Sequence, residues 1–138
     1  MAQGARPAAT RMTRKVLDTS VIMAILLDEP GQDVAATLVS GAVLSSVNFA
    51  EILTKCLEKT VPLDVALDYI RDSEIETASF DADVAVIAGR LFATARKGVL
   101  SLGDRACIAT AISQKATVVT ADRVWAELNL PCPVELIR

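Results

Sequence analysis

Five short apolar runs, at residues 15–18, 42–45, 75–79, 116–119 and 133–137, are separated by longer stretches with helical spacing. The helical stretches fall near 19–28, 31–39, 47–60, 62–73, 81–97, 103–114 and 122–128. Alternation of this kind requires crossover connections and a mainly parallel sheet covered on both faces. The expected fold is therefore α/β, a three-layer α/β/α domain around a mainly parallel five-stranded sheet. In open sheets of this type the ligand site lies beyond the carboxyl ends of the strands. Punctuation agrees with the map. Pro30-Gly31 separates the first two helices, Pro62 stands where a helix can begin, and Pro131 and Pro133 bracket the approach to the last strand.

No repeat or low-complexity segment interrupts the body, and 138 residues suit one domain with a single core. That domain is expected over 15–138, after a flexible basic tail at 1–14. Setting aside Arg6, Arg11, Arg14 and Lys15 leaves ten basic residues against 17 acids, a body near −7. An acidic body is an unusual partner for a polyanion unless carboxylates hold metal ions. Aromatic residues make up only 4% of the chain, which argues against base-stacking platforms, so any nucleic-acid contact must rest on charge and backbone. No apolar stretch reaches the roughly 18 residues of a membrane span and no secretory signal core is visible, so the expected location is cytoplasmic.

The chain has no histidine, which removes Ser-His-Asp and Cys-His catalysis and imidazole metal sites. Its three cysteines, Cys56, Cys107 and Cys132, lack paired CxxC spacing and read as small buried thiols. Neither GxGxxG after a strand nor GxxxxGK[ST] is present. Carboxylates remain. Asp18 follows the first strand, and Glu51 lies in the opening turn of the helix after the second. Asp104 opens a helix, and Asp122 follows the strand at 116–119. In a parallel sheet all four converge on one edge, where they repel one another unless cations lie between them. Hard oxygen ligands without His or Cys favour Mg²⁺ or Mn²⁺.

Each acid also has a structural explanation. Asp18 can cap the following helix, Asp104 can complete a capping box with Ser101, and Asp122 can sit in the first turn of a short helix. Glu51 falls opposite the stripe Phe49, Ile52, Leu53, Cys56 and Leu57, four residues before Lys55, as a solvated salt-bridge partner would. Asp104 is aligned with Cys107, Ile108, Ala111 and Ile112 on the inward stripe of its helix. Arg105 and Arg123 directly follow two of the acids; for Arg105 the expected place is solvent.

Four segments, VLDTSV, SSVNFAEIL, SLGDRACIATA and VVTADRVWAEL, resemble in order those of PIN-domain ribonucleases of the VapC toxin type. The resemblance spans residue 15 to about 137. It places Asp18, Glu51, Asp104 and Asp122 at the family's acidic quartet, with Ser20 and Thr120 at its hydroxyl positions. It implies Mg²⁺- or Mn²⁺-dependent cleavage of RNA, with Asp18 and Asp104 as first metal ligands and Glu51 and Asp122 completing the pocket directly or through water. It also implies neutralisation by a cognate antitoxin, and a homodimer is expected. Two competing classes are a receiver-like acidic switch and a PIN-like fold kept only for binding. The switch fits poorly, because Asp18-Thr19 stands where adjacent acids are needed and no lysine follows a late strand.

Overall fold

The computed structural model describes residues 14–138. Five strands, β1 (Lys15–Leu17), β2 (Val43–Ser45), β3 (Glu76–Ala78), β4 (Thr117–Thr120) and β5 (Val134–Leu136), form one sheet in the order β3-β2-β1-β4-β5. Every pairing is parallel. Six α-helices connect them: α1 (Thr19–Leu26), α2 (Gln32–Leu38), α3 (Ser46–Glu58), α4 (Leu63–Asp72), α5 (Ala82–Arg90) and α6 (Leu102–Gln114). The expected three-layer fold is the one observed. No described helix is long and apolar enough to cross a membrane.

Strand alternation decides which layer each side chain joins, because successive residues face opposite sides of the sheet. Leu17, Leu44 and Val119 point to the layer of α1 to α4 and pack with Ile22, Ile52 and Ile70. Val16, Val43 and Val118 point the other way, onto Val84 and Ala88 of α5 and Cys107, Ile108 and Ala111 of α6. Helix α6 is buried on nearly every side, from Gly103 through Ala106 to Ala111, and its small residues let it lie close to the strands and to α5.

Three expectations need correction. The helix at 81–97 ends at Arg90 and continues only as a 3-10 turn at Leu91–Thr94. Its apolar stripe, Val84, Ala88 and Leu91, stops there; Phe92 is 49% exposed and no packing holds a further turn. The short helix at 122–128 is a 3-10 turn, Arg123–Glu127, pinned by buried Trp125. Leu57 is 65% exposed, because a 100° turn of the helix beyond buried Cys56 carries it off the packed face.

The tail expected at 1–14 lies outside the described residues apart from Arg14. The Arg14 guanidinium donates to the Glu76 carboxylate at 3.0 and 3.2 Å, and its carbonyl accepts from the N–H of Thr117.

Candidate active site

The strand order reverses at β1. The chain moves from β1 out to β2 and β3, then returns to the other side as β4, so a crevice opens beyond the carboxyl ends of β1 and β4. Asp18 is the first residue past β1 and Thr120 the last of β4. The N-termini of α3 and α6 close the crevice, bringing Glu51 and Asp104 to its wall. The resulting cleft has a volume of about 350 Å³, and Asp18, Thr19, Ser20, Glu51, Lys55 and Asp104 are among its lining residues.

Asp18 is buried, with 7% of its surface exposed. Its backbone N–H bonds to Val119 O, which extends the strand pairing by one residue and fixes where the carboxylate emerges. Although it occupies the position before α1, its side chain caps no helix N–H. Carboxylate Oδ2 instead accepts from Ser20 Oγ at 2.7 Å and Thr120 Oγ1 at 2.9 Å. The two hydroxyls are braced in turn: Ser20 Oγ accepts from Ala121 N–H and Thr120 Oγ1 from Asp122 N–H, each at 3.0 Å. Ser20 and Thr120 thus orient Asp18 and tie the turns after β1 and β4 together. Burial pushes the Asp18 carboxyl up to about 6, against the two hydroxyl bonds that lower it; the charges of Asp104 and Glu51 push it further up.

Asp104 shows that capping and a place in the cleft wall are compatible. Its N–H donates to Ser101 Oγ and its Oδ2 accepts from Ser101 N–H at 3.0 Å, a complete capping box. Oδ1 accepts no hydrogen bond among the described residues and remains available. Burial is again the main cause of a raised carboxyl, followed, after the opposing Ser101 bonds, by the charges of Asp122 and Glu51. Asp122 is the most exposed of the four; its Oδ1 caps the 3-10 turn through Val124 N–H at 3.1 Å. It neighbours Asp104 but does not line the cleft.

Glu51 is where the helical pattern misleads. It lies off the apolar stripe of α3, yet it is half-buried and forms no ion pair with Lys55 among the described residues. Its Oε1 accepts from Thr19 Oγ1 at 2.8 Å and from Asn48 Nδ2 at 3.0 Å. The side of α3 opposite the core faces the cleft. Thr19 and Asn48 were missing from the sequence reading; the available signal was a polar residue, Asn48, one helical turn before Glu51. Arg105 is not in solvent either. It donates to Ala88 O at 3.1 Å and lies 5.4 Å from the centre of the Phe92 ring, so it fastens α6 to α5 and stays out of the site.

None of the four acids has a cationic partner among the described residues, although Asp18 is buried and flanked by two other carboxylates. Cys107 lies beneath them, its thiol pushed far up by burial and then by Asp18 and Asp104, so it offers no thiolate. The donors are hard oxygens suited to Mg²⁺ or Mn²⁺. Among the described residues no three acidic or cysteine side chains form a ready-made ligand cluster. A Mg²⁺ ion that retains several waters does not require one.

Fold and site together define a class, the doubly wound α/β proteins with a carboxylate-lined cleft at the strand-order switch. Within that class, the family model of the PIN domain matches residues 15–130. The chain belongs to the PIN-domain family. No curated protein gives a significant match. Among solved structures, a toxin-antitoxin complex from Klebsiella pneumoniae aligns with a TM-score of 0.72 at 14% identity, covering 91% of this chain and 98% of that one. A DNA-bound VapBC from Salmonella typhimurium aligns with a TM-score of 0.71 at 24% identity, covering 91% and 99%. VapBC-5 from Mycobacterium tuberculosis aligns with a TM-score of 0.58 at 26% identity, covering 92% and 98%.

Proposed function

We propose that this chain is a VapC-type toxin, an endoribonuclease that uses Mg²⁺ or Mn²⁺ and is neutralised by a cognate antitoxin. The observation that carries the reading is the buried, cation-free Asp18 beside Asp104 and Glu51, at the edge where the sheet order reverses. Membership of the PIN-domain family and structural likeness to VapBC complexes support it.

Asp18 and Asp104 would hold the metal, and Glu51 and Asp122 would complete the site directly or through water. When bound, a dication there would supply Lewis-acid activation of water and charge neutralisation at the scissile phosphate. Ser20 and Thr120 keep Asp18 Oδ2 occupied, which leaves Oδ1 without a hydrogen bond among the described residues. Thr19 and Asn48 hold Glu51 at the wall. Purified protein is expected to cut RNA only with a divalent metal present, and a bound antitoxin is expected to close the cleft, with a basic side chain over the acids. The toxin is expected to form a dimer. Sequencing of cleaved 5′ ends, with and without antitoxin, tests the reading; absence of metal-dependent cuts, or cuts undiminished by antitoxin, would remove it. Sedimentation as a monomer at all working concentrations would remove the dimer.

The shape of the surface supports one route for the RNA strand. A second, wider groove of about 820 Å³, floored by Val47, Phe80 and Leu102, shares Glu51, Lys55 and Glu58 with the cleft. Lys55 stands at the shared wall, exposed and without an ion pair among the described residues. It is placed to meet a phosphate as the strand passes from groove to cleft. Lys55→Gln is expected to raise KM about fivefold with little change in kcat. The slope of log kcat/KM against log salt should become shallower by about 0.7, the loss of one single-strand phosphate contact. An unchanged slope would send the strand elsewhere.

A further inference from the structure

Gly103 has no backbone reason to be glycine. It lies in the first turn of α6 with an ordinary helical conformation, where alanine is the more stabilising residue. The reason lies in the space beside it. A β-carbon on Gly103 would fall inside van der Waals contact of all three terminal atoms of Glu51, namely Cδ, Oε1 and Oε2. The carboxylate occupies the volume that any other residue would fill.

Asn48 holds the carboxylate there. Fully buried, it directs Nδ2 at Glu51 Oε1 at 3.0 Å, at Gly103 O at 3.1 Å and at Thr19 Oγ1 at 3.3 Å. Its orientation is forced, because a rotated amide would point an oxygen at a carboxylate and a carbonyl, neither of which can donate. The cost is visible on the other side of the amide, where Oδ1 is buried without a partner among the described residues. A side chain serving only the packing of α3 on α6 has no need of that arrangement; an apolar residue of similar size would serve.

We propose that Gly103 and Asn48 are positioning residues for Glu51, the glycine leaving an open socket for the carboxylate and the amide clamping it against the backbone of α6. Neither touches substrate. Both act through the place they give to one charge at the cleft wall. The proposal rests on the assignment of Glu51 to an RNA-cleaving, metal-holding site.

The obstructing atoms are the far end of a flexible side chain, so Gly103→Ala should fold by letting Glu51 swing out. The full-length protein is tested as wild type, Gly103→Ala, Asn48→Ala, Glu51→Ala and the two double variants with Glu51→Ala. Thermal denaturation, Mn²⁺ affinity by calorimetry and RNA cleavage are measured on each. Gly103→Ala is expected to melt at or above the wild-type temperature, while Mn²⁺ affinity and kcat/KM each fall at least about tenfold. Asn48→Ala should show the same functional losses with a lower melting temperature. In the Glu51→Ala background neither change should lower cleavage by more than about twofold, because effects routed through one residue do not add.

If Gly103→Ala fails to fold while the Gly103→Ala, Glu51→Ala double variant folds, the two groups compete for one space and the socket stands. Wild-type affinity and cleavage in Gly103→Ala overturn it, as do equal losses with and without Glu51. If Glu51→Ala alone binds Mn²⁺ and cleaves like wild type, the site assignment has failed and takes the proposal with it, an outcome distinct from failure of the socket alone.

Discussion

RNA cleavage by the Asp18→Asn and Asp104→Asn proteins is expected to fall at least about 100-fold below wild type, while both proteins stay folded. A loss of that order follows removal of a key electrostatic group at a reacting centre. Asn has nearly the shape of Asp and caps helices about as well, so the Ser101–Asp104 capping box can persist with an amide oxygen accepting from Ser101 N–H. What Asn cannot supply is the negative charge that attracts a dication. Exhaustive chelation of the wild-type protein should have at least as large an effect, reversed by Mg²⁺ or Mn²⁺. Asp64→Asn is the control, an exposed acid in the first turn of α4; Glu58 is unsuitable because it lines the cleft. Wild-type rates in both metal-loaded variants would leave Asp104 as a helix cap and Asp18 as a tie between the turns after β1 and β4.

The metal-free protein should lose stability as pH rises from about 4 to about 6, and Asp18→Asn should abolish most of that loss. The sign follows from the direction of the shift. The folded chain holds Asp18 at about 6, above its ordinary 3.8, so between those values the folded state binds more protons than the unfolded chain. Each pH unit in that window costs about 1.4 kcal/mol, or about 3 kcal/mol in all, an order-of-magnitude figure. Asp104, also raised, acts in the same direction. The Asn variant should therefore be more stable than wild type by about that amount at pH 7.5 and no more stable at pH 4. Urea denaturation of both proteins at pH 4, 6 and 7.5, with chelator present, checks this; a difference independent of pH would remove it. Saturating Mg²⁺ at pH 7.5 should stabilise the wild type more than the variant, since only a ligand favouring the folded state can do so.

Several features of this arrangement were legible in the residues. Five apolar runs separated by helical spacing require a parallel sheet with covered faces, and the observed strands begin and end within two residues of those runs. Asp18 and Asp122, each just past a strand, were placed by the rule that open sheets carry their sites at the carboxyl edge. The signals are local, because strand alternation, helical period and turn residues act over a few positions of the chain.

Glu51 shows where local signals stop. On a helical wheel it lies opposite Phe49 and Leu53, and the wheel cannot tell bulk water from a cleft wall. That distinction depends on α6, fifty residues later, whose Gly103 leaves room for the carboxylate. Arg105 fails for the same reason: its solvent position is taken away by Ala88 and Phe92 of a neighbouring element. The capping alternative for Asp104 was undecidable in sequence because capping occupies one carboxylate oxygen and leaves the other without a hydrogen bond among the described residues.

The sequence by itself determined the class of fold, the edge at which chemistry could occur and the kind of ligand that carboxylates without histidine can hold. These depend on residue types and short spacings, which the chain carries wherever it folds. The tertiary structure alone decided which oxygen of each acid is occupied, which acid is buried enough to titrate near 6, and which polar residues stand behind them. Those properties arise from groups brought together across a hundred residues, as when Thr120 donates to Asp18. Desolvation and hydrogen bonding act on whatever is adjacent in space, and no spacing along the chain encodes that adjacency.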